Sequence, residues 1–282
     1  MQVSALHLYP MKSGRGIALS EADIGPEGIP GDRRMMLVEA DGSFITQRDL
    51  PLLAKLTVTP EQAVTRIAFD GEDEIKVSHP PVDRRMDVVI WKSPVNAAVA
   101  DEATNARVSS WIGRDVRLAF FDAHSQREAS AEWAGDGTPV TFADGYQILV
   151  TTTASLAALN ADMAAHGEAS VGMDRFRPNI VVETEEAWVE DRWNAIEING
   201  VVLDLVKPCA RCIMTTQDQM SGSREGASPM PAMGRIRMSA DRRVPGPLFG
   251  WNAVPRTSGR VRLGDAVRVL GLREAAWPMK HP

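Results

Sequence analysis

Three dipeptides fix where this chain must double back. Asp41-Gly42, Asp70-Gly71 and Asn199-Gly200 each stand between two short apolar runs. A tight connection with positive φ at its centre matches the twist of paired strands, and Asn, Asp and Gly are the residues that tolerate it. The first joins Met35–Ala40 to Phe44–Gln47, the second Arg66–Phe69 to Glu74–Ser78, and the third Ala195–Ile198 to Val201–Val206. Further strand-like runs are Val3–Tyr9, Met86–Trp91, Val116–Phe121, Tyr146–Thr151, Asn179–Glu183 and Ala266–Leu270. Two segments read as helices. Asp101–Ile112 has a capping Asp101 at its start and Gly113 as its stop. Ser155–Ala165 carries Leu156, Leu159 and Met163 at helical spacing and ends before Gly167. Many short strands with two helices predict an α+β, β-rich protein of barrel type.

At 282 residues the chain is longer than one typical domain of about 150 residues, so two lobes are expected. The polar stretch Asp122–Gly137 either divides them or covers a site. The division adopted is an N-terminal lobe over 1–122, a second domain over 123–275 and a tail over 276–282. Asp and Glu outnumber Lys and Arg by 37 to 31, a net charge of −6. The broad positive field of a general nucleic-acid binder is therefore missing, and no nucleic acid is expected as a stable partner. No stretch approaches the roughly 18 apolar residues of a membrane span. The start, Met1-Gln2-Val3-Ser4-Ala5-Leu6, has no basic segment before an apolar run, so no signal peptide is expected. With only two cysteines, a disulfide scaffold, a four-thiolate zinc site and an iron–sulfur cluster held by this chain are excluded. A reducing, cytoplasmic location is expected.

Both cysteines fall in Pro208-Cys209-Ala210-Arg211-Cys212-Ile213-Met214-Thr215-Thr216. Three readings compete. Zinc would need two more ligands, and His7, His79, His124, His166 and His281 are scattered. A thioredoxin-type dithiol needs its first cysteine at a helix N-terminus, whereas Ile213–Thr216 favours a strand. The third reading is two small apolar residues packed beside a strand. Lys207 and Arg211 pull against it, because nearby cations favour a thiolate, and a thiolate suits a soft metal such as molybdenum.

Three other stretches carry cations at strand ends. Tyr9-Pro10-Met11-Lys12-Ser13-Gly14-Arg15-Gly16 offers backbone N–H groups, a hydroxyl and a cation to a phosphate. It is not a P-loop, which needs a glycine directly before its lysine. Gly31-Asp32-Arg33-Arg34 and Asp174-Arg175-Phe176-Arg177-Pro178-Asn179 place arginines ahead of strands, where a guanidinium forks onto phosphate oxygens. Any one of them is also what a plain surface turn looks like. Four such loops in an acidic protein point together to an anion. The segment Gly222–Gly246, rich in Gly, Pro and Arg, reads as a long loop that is either a solvated surface or the border of a site.

These stretches, in this order, resemble the MOSC family, named for the C-terminal domain of molybdenum-cofactor sulfurase, together with its N-terminal β-barrel lobe. The pattern is nearest to the amidoxime-reducing members. The resemblance is carried by Leu8–Ser13, Gly31-Asp32-Arg33, Ile45-Thr46-Gln47-Arg48, Phe176-Arg177-Pro178-Asn179, Pro208–Thr216 and Pro247-Leu248-Phe249-Gly250. It implies a MOSC β-barrel domain beside a smaller N-terminal barrel-like lobe, with a molybdenum cofactor (Mo-molybdopterin) held between them. It makes Cys212 the metal ligand and catalytic residue, with Cys209 a supporting thiol. Lys12, Ser13 and Arg33 would reach the cofactor from one side, and Arg177 and Asn179 from the other. Ala210 and Arg211 would add contacts, as would Gly145, Tyr146 and Asn252.

The implied activity is reduction of N-hydroxylated compounds, hydroxylamines and amidoximes, with electrons from a separate ferredoxin-like or reductase partner. A cofactor carrier or a persulfide-bearing sulfur-transfer module is the alternative, and a simple dithiol oxidoreductase a third. Two departures stand out. Relatives with a fused ferredoxin domain carry four further cysteines, which these 282 residues lack. Asn252 stands where eukaryotic members have a tyrosine. Arg224, Arg235, Arg237, Arg242 and Arg243 make Gly222–Gly246 the expected docking surface for an acidic electron donor.

Overall fold

The computed structural model describes residues 1–62 and 64–280. His281 and Pro282, the end of the expected tail, lie outside the described residues. The first half contains β1 (Gln2–Leu8), β2 (Ile17–Leu19), β3 (Glu21–Ile24), β4 (Met35–Val38), β5 (Leu56–Pro60), β6 (Val64–Phe69), β7 (Ile75–Ser78), β8 (Arg85–Ile90), β9 (Ser93–Val99), α1 (Glu102–Ile112) and β10 (Arg117–Phe120). The second contains α2 (Ala131–Ala134), β11 (Ile148–Thr152), α3 (Thr153–Ala165), β12 (Ile180–Glu183), β13 (Trp193–Ile198), β14 (Val201–Ala210), α4 (Met230–Ile236), β15 (Leu248–Pro255), β16 (Gly259–Arg262) and β17 (Val267–Leu272).

An eight-stranded sheet runs β17-β13-β14-β15-β11-β12-β1-β2, so the second half takes two of its strands from the first twenty residues. Its core is built on Trp193, Trp251, Leu203, Ile196 and Val150. The remaining strands form a four-stranded sheet, β4-β10-β9-β8, a three-stranded sheet, β5-β6-β7, and the pair β16-β3. The protein is α+β and β-rich, its sheets curled into half-barrels.

Local chemistry explains the elements. Asn199 and Gly200, at φ 49° and 82°, close the β13–β14 hairpin, with Ile198 opposite Val201. Asp101 caps α1 by accepting the Thr104 N–H at 2.7 Å, and Gly113 ends it in the left-handed region at φ 67°. Asn105, buried inside that helix, ties it to β10 by accepting the Leu118 N–H at 2.9 Å.

Four sequence expectations change. Phe44–Gln47 is not a strand beyond a single bridge at Phe44, because the Thr46 carbonyl and hydroxyl collect the N–H groups of Asp49, Leu50 and Arg48 into a turn. Ile213–Thr216 is a 3-10 turn rather than a strand. Thr215 and Thr216 donate their hydroxyls back to the carbonyls of Cys212 and Ile213, local bonds that β-propensity does not weigh. The Gly222–Gly246 loop contains α4, which buries Ala232 and Met233 against Leu159 and Met163 of α3. The described residues of the expected tail are docked: Met279 bridges Ser239, and Trp277 packs on Trp133 and Trp251.

Candidate functional site

Where β14 hands over to its following turn, the sheet opens. Register slips between Pro208 and Ala210 opposite β15, a bulge of the kind that re-aims side chains beside active sites. Cys209, Ala210, Arg211 and Cys212 follow from that bulge and form one wall of a cavity of about 360 Å³. Lys12 and Ser13 come from the loop after β1, and Arg33 from the turn before β4. Arg177 and Asn179 come from the return of the β11–α3–β12 crossover. Gly145 and Tyr146 precede β11, and Asn252 lies on β15. All twelve positions that the resemblance singles out, Cys209 included, line this one cavity.

The charge lining it is lopsided. Lys12, Arg33, Arg48, Arg175, Arg177 and Arg211 face a single carboxylate, Asp144. That is six cations against one acid in a chain whose net charge is −6. Tyr9 supports two of them. Its ring packs against the guanidinium groups of both Arg33 and Arg177, 4.4 and 4.3 Å from the ring centre. Gly16 is required beside it, since a Cβ there would stand 2.5 Å from the Tyr9 ring. Burial raises the Tyr9 phenol to about 12.

Burial also lowers Arg177 to about 10, and the charge of Arg33 adds to that. Lys12 is buried. Burial lowers its pKa, and its ion pair with Asp144 offsets part of that. Its ammonium donates to the Phe142 carbonyl at 3.1 Å. Arg127, from the stretch read as a lobe boundary, grips the carbonyls of Thr141, Ala143 and Asp144 and so shapes that edge of the cavity.

The backbone is strained in the same place. Among the described residues, six that are not glycine have positive φ, and four of them line the cavity: Ser13, Arg33, Trp91 and Arg177. Such strain persists where surrounding structure over-determines it, and it clusters at functional sites.

Two placements add to the sequence reading. The Arg211 guanidinium donates to the sulfur of Cys209 at 2.9 Å and to the Phe176 carbonyl at 2.7 Å. Cys212 is exposed into the cavity without that contact. Four of the five arginines of Gly222–Gly246 are engaged within the chain, and Arg242 is exposed. Arg235 is bound to Asp162 and Glu168, Arg237 is buried against Asp191, and Arg243 pairs with Asp241. Arg224 donates to the carbonyls of Gln47 and Arg48. Sequence patterning gave each arginine a charge but not the carboxylate that the fold would bring to it.

Sequence reasoning did not single out Trp91, Arg48 or Asp144 as site residues, yet all three line the cavity. Arg48 stood inside one of the resembling stretches, which was a usable signal. Trp91 ended a strand-like run and Asp144 stood in a plain loop, and neither carries a mark in the sequence.

The MOSC domain family model matches residues 137–268, and the MOSC N-terminal beta barrel domain model matches residues 1–115. The chain belongs to the MOSC family. Within it, the chain is similar to mitochondrial amidoxime-reducing component 1 of Homo sapiens. The two are 28% identical over 283 residues, covering 95% of this chain and 83% of that protein. It is also similar to mitochondrial amidoxime reducing component 2 of Rattus norvegicus, 28% identical over 282 residues, covering 94% and 82%. No helix among the described residues is long and apolar enough to cross a membrane.

Proposed function

We propose that this MOSC protein holds a molybdenum cofactor in the cationic cavity and reduces N-hydroxylated compounds there. The observation that carries the reading is the cavity's lining: six cations, one carboxylate and two thiols. A pterin cofactor of this type brings a phosphate and a dithiolene, and so asks for several cations and one soft protein ligand. The residues present fit that demand. The Arg211 Nε is buried without a partner, Arg177 is a desolvated cation, and Cys212 is an exposed thiol on the same wall.

In this reading Cys212 ligates the metal. Lys12, Ser13, Arg33, Arg177 and Asn179 hold the phosphate and pterin, and Gly145, Tyr146, Ala210, Arg211 and Asn252 complete the cradle. The bound group supplies two-electron oxygen removal: R–NHOH plus two electrons and two protons gives R–NH2 and water. The chain's own residues do the rest. Tyr9 supports both guanidinium groups with its ring at the cavity wall. The Asn252 amide is held by the Lys207 carbonyl at 3.2 Å, which fixes its orientation at the wall. The electrons come from a separate one-electron donor protein.

The test is expression in cells able to build the cofactor, followed by elemental analysis, pterin fluorescence and turnover of hydroxylamine with a chemical one-electron donor. Molybdenum near one per chain with turnover is expected, together with no NADH-driven reaction by the chain alone. Bound molybdenum without any reduction would point instead to a cofactor carrier.

A further inference from the structure

Trp91 stands where the backbone asks for a glycine. It is the first residue of the two-residue loop Trp91-Lys92 that joins β8 to β9, with Ile90 opposite Ser93. Its φ is 56°. The first position of such a loop favours glycine or asparagine, and a bulky side chain in the left-handed region is an outlier. Core packing does not compensate, because Trp91 is 48% exposed. The ring is nonetheless held. The Arg48 guanidinium lies 4.5 Å over it, and Phe44 meets it edge-on with ring centres 5.2 Å apart. The Lys12 ammonium sits 5.4 Å over that same Phe44. Strain, exposure and a tether coincide on a residue that lines the cationic cavity.

We propose that Trp91 selects substrates with a planar aromatic body at this cavity, a role that rests on the reductive function proposed above. The N-hydroxy group is small and common to the whole substrate class, so discrimination among substrates must come from what touches the rest of the molecule. Trp91 offers an exposed indole surface, and Arg48 offers a planar cation beside it. Both favour a flat ring over an alkyl chain. An aliphatic substrate finds no matching face and gains little from either.

The experiment compares benzamidoxime with acetamidoxime on the cofactor-loaded protein and its Trp91→Gly and Trp91→Phe variants. Glycine suits the backbone at this position, so Trp91→Gly keeps the fold and melts no lower than the parent. The ratio of KM for acetamidoxime to KM for benzamidoxime falls about three- to tenfold in Trp91→Gly, the worth of one aromatic contact. Trp91→Phe restores most of it. Calorimetric binding of benzamidoxime weakens by the same factor and needs no turnover. An unchanged ratio, or equal calorimetric binding by parent and Trp91→Gly, overturns the proposal. Absence of turnover by the parent with the calorimetric difference intact ends the reductive reading and leaves the aromatic contact standing.

Discussion

Asn179 donates its side-chain amide to the Asp32 carboxylate at 3.1 Å, across 147 residues of chain. Asp32 also accepts the Tyr9 N–H at 2.9 Å and pairs with Arg33. The Asn179 Oδ1 accepts from Arg33 at 3.0 Å and from the Leu149 N–H at 3.2 Å. The bonds close a ring through the loop after β1, the turn before β4 and the start of β12. That ring aims Arg33 into the cavity while its charge is partly met from behind. Burial raises the Asp32 pKa against the pull of Arg33, so the carboxylate is held there by its partners.

Asp32→Ala therefore leaves a guanidinium and a backbone N–H without their acceptor. Breaking a buried pair in this way costs about 3–5 kcal/mol. Urea unfolding of the variant should show a loss in that range. A loss below about 1 kcal/mol, as for an exposed pair, would mean that the ring contributes no order to the site.

Arg177 makes a paired prediction. Its cation is desolvated and repelled by Arg33, and a side-chain amide, the Gln219 carbonyl oxygen, meets it at 2.9 Å. No carboxylate forms an ion pair with it among the described residues, so an apolar residue of similar length removes a desolvation cost that is only partly offset. Arg177→Met should melt at the same temperature as the ligand-free parent or higher, and yet retain less pterin after purification. Undiminished pterin fluorescence in this variant would remove Arg177 from the anion-binding set.

The hairpins and helix caps were legible because their cause is local. Asn199-Gly200 and the Asp101–Gly113 helix need no more than a few neighbouring residues to specify them. The strand swap of β1 into the far sheet was not legible, since nothing in Gln2–Leu8 names Ile180–Glu183 as its partner. The cavity was read as four loops with cations, and the fold brings those loops together. Its acidic counterweights were invisible. Asp144, Asp162 and Glu168 look like any surface acids until the chain folds them against Lys12 and Arg235. The same blindness hid the carboxylates that pair with Arg237 and Arg243.

His7, beside the ring, gives a pH signature. Its Nδ1 is buried without a partner. Burial lowers its pKa from 6.5, and the Pro178 backbone and Asp174 offset part of that. The folded pKa thus lies below the unfolded one, so the unfolded chain takes the proton first. Stability is full above about pH 7 and is lost as pH falls through 6.5 toward the folded value. Ordinary carboxylates stay ionised until about pH 5, and the buried carboxyls whose pKa is raised, Asp32 and Glu190, are common to parent and variant. His7→Phe should flatten the fall in melting temperature between about pH 7.5 and 5.5. An identical slope in parent and variant would assign that sensitivity to other groups.

The two thiols separate by their neighbours. Arg211 spends one guanidinium nitrogen on the sulfur of Cys209 and the other on the Phe176 carbonyl, so Cys209 is fixed in the wall. Cys212 is exposed and carries no hydrogen bond on its sulfur among the described residues, which leaves that sulfur free to take a ligand. Cys212→Ser should lower the molybdenum-to-protein ratio sharply, because a hydroxyl is a poor ligand for a soft metal. Cys209→Ser should keep the metal, since serine oxygen still accepts from Arg211. A second readout needs no activity. Iodoacetamide followed by mass spectrometry should modify Cys212 faster than Cys209 in the metal-free protein, and bound metal should shield Cys212 in particular. If Cys212→Ser held molybdenum at the parent ratio, or if loading the metal protected Cys209 instead, the ligand would be the thiol that Arg211 holds.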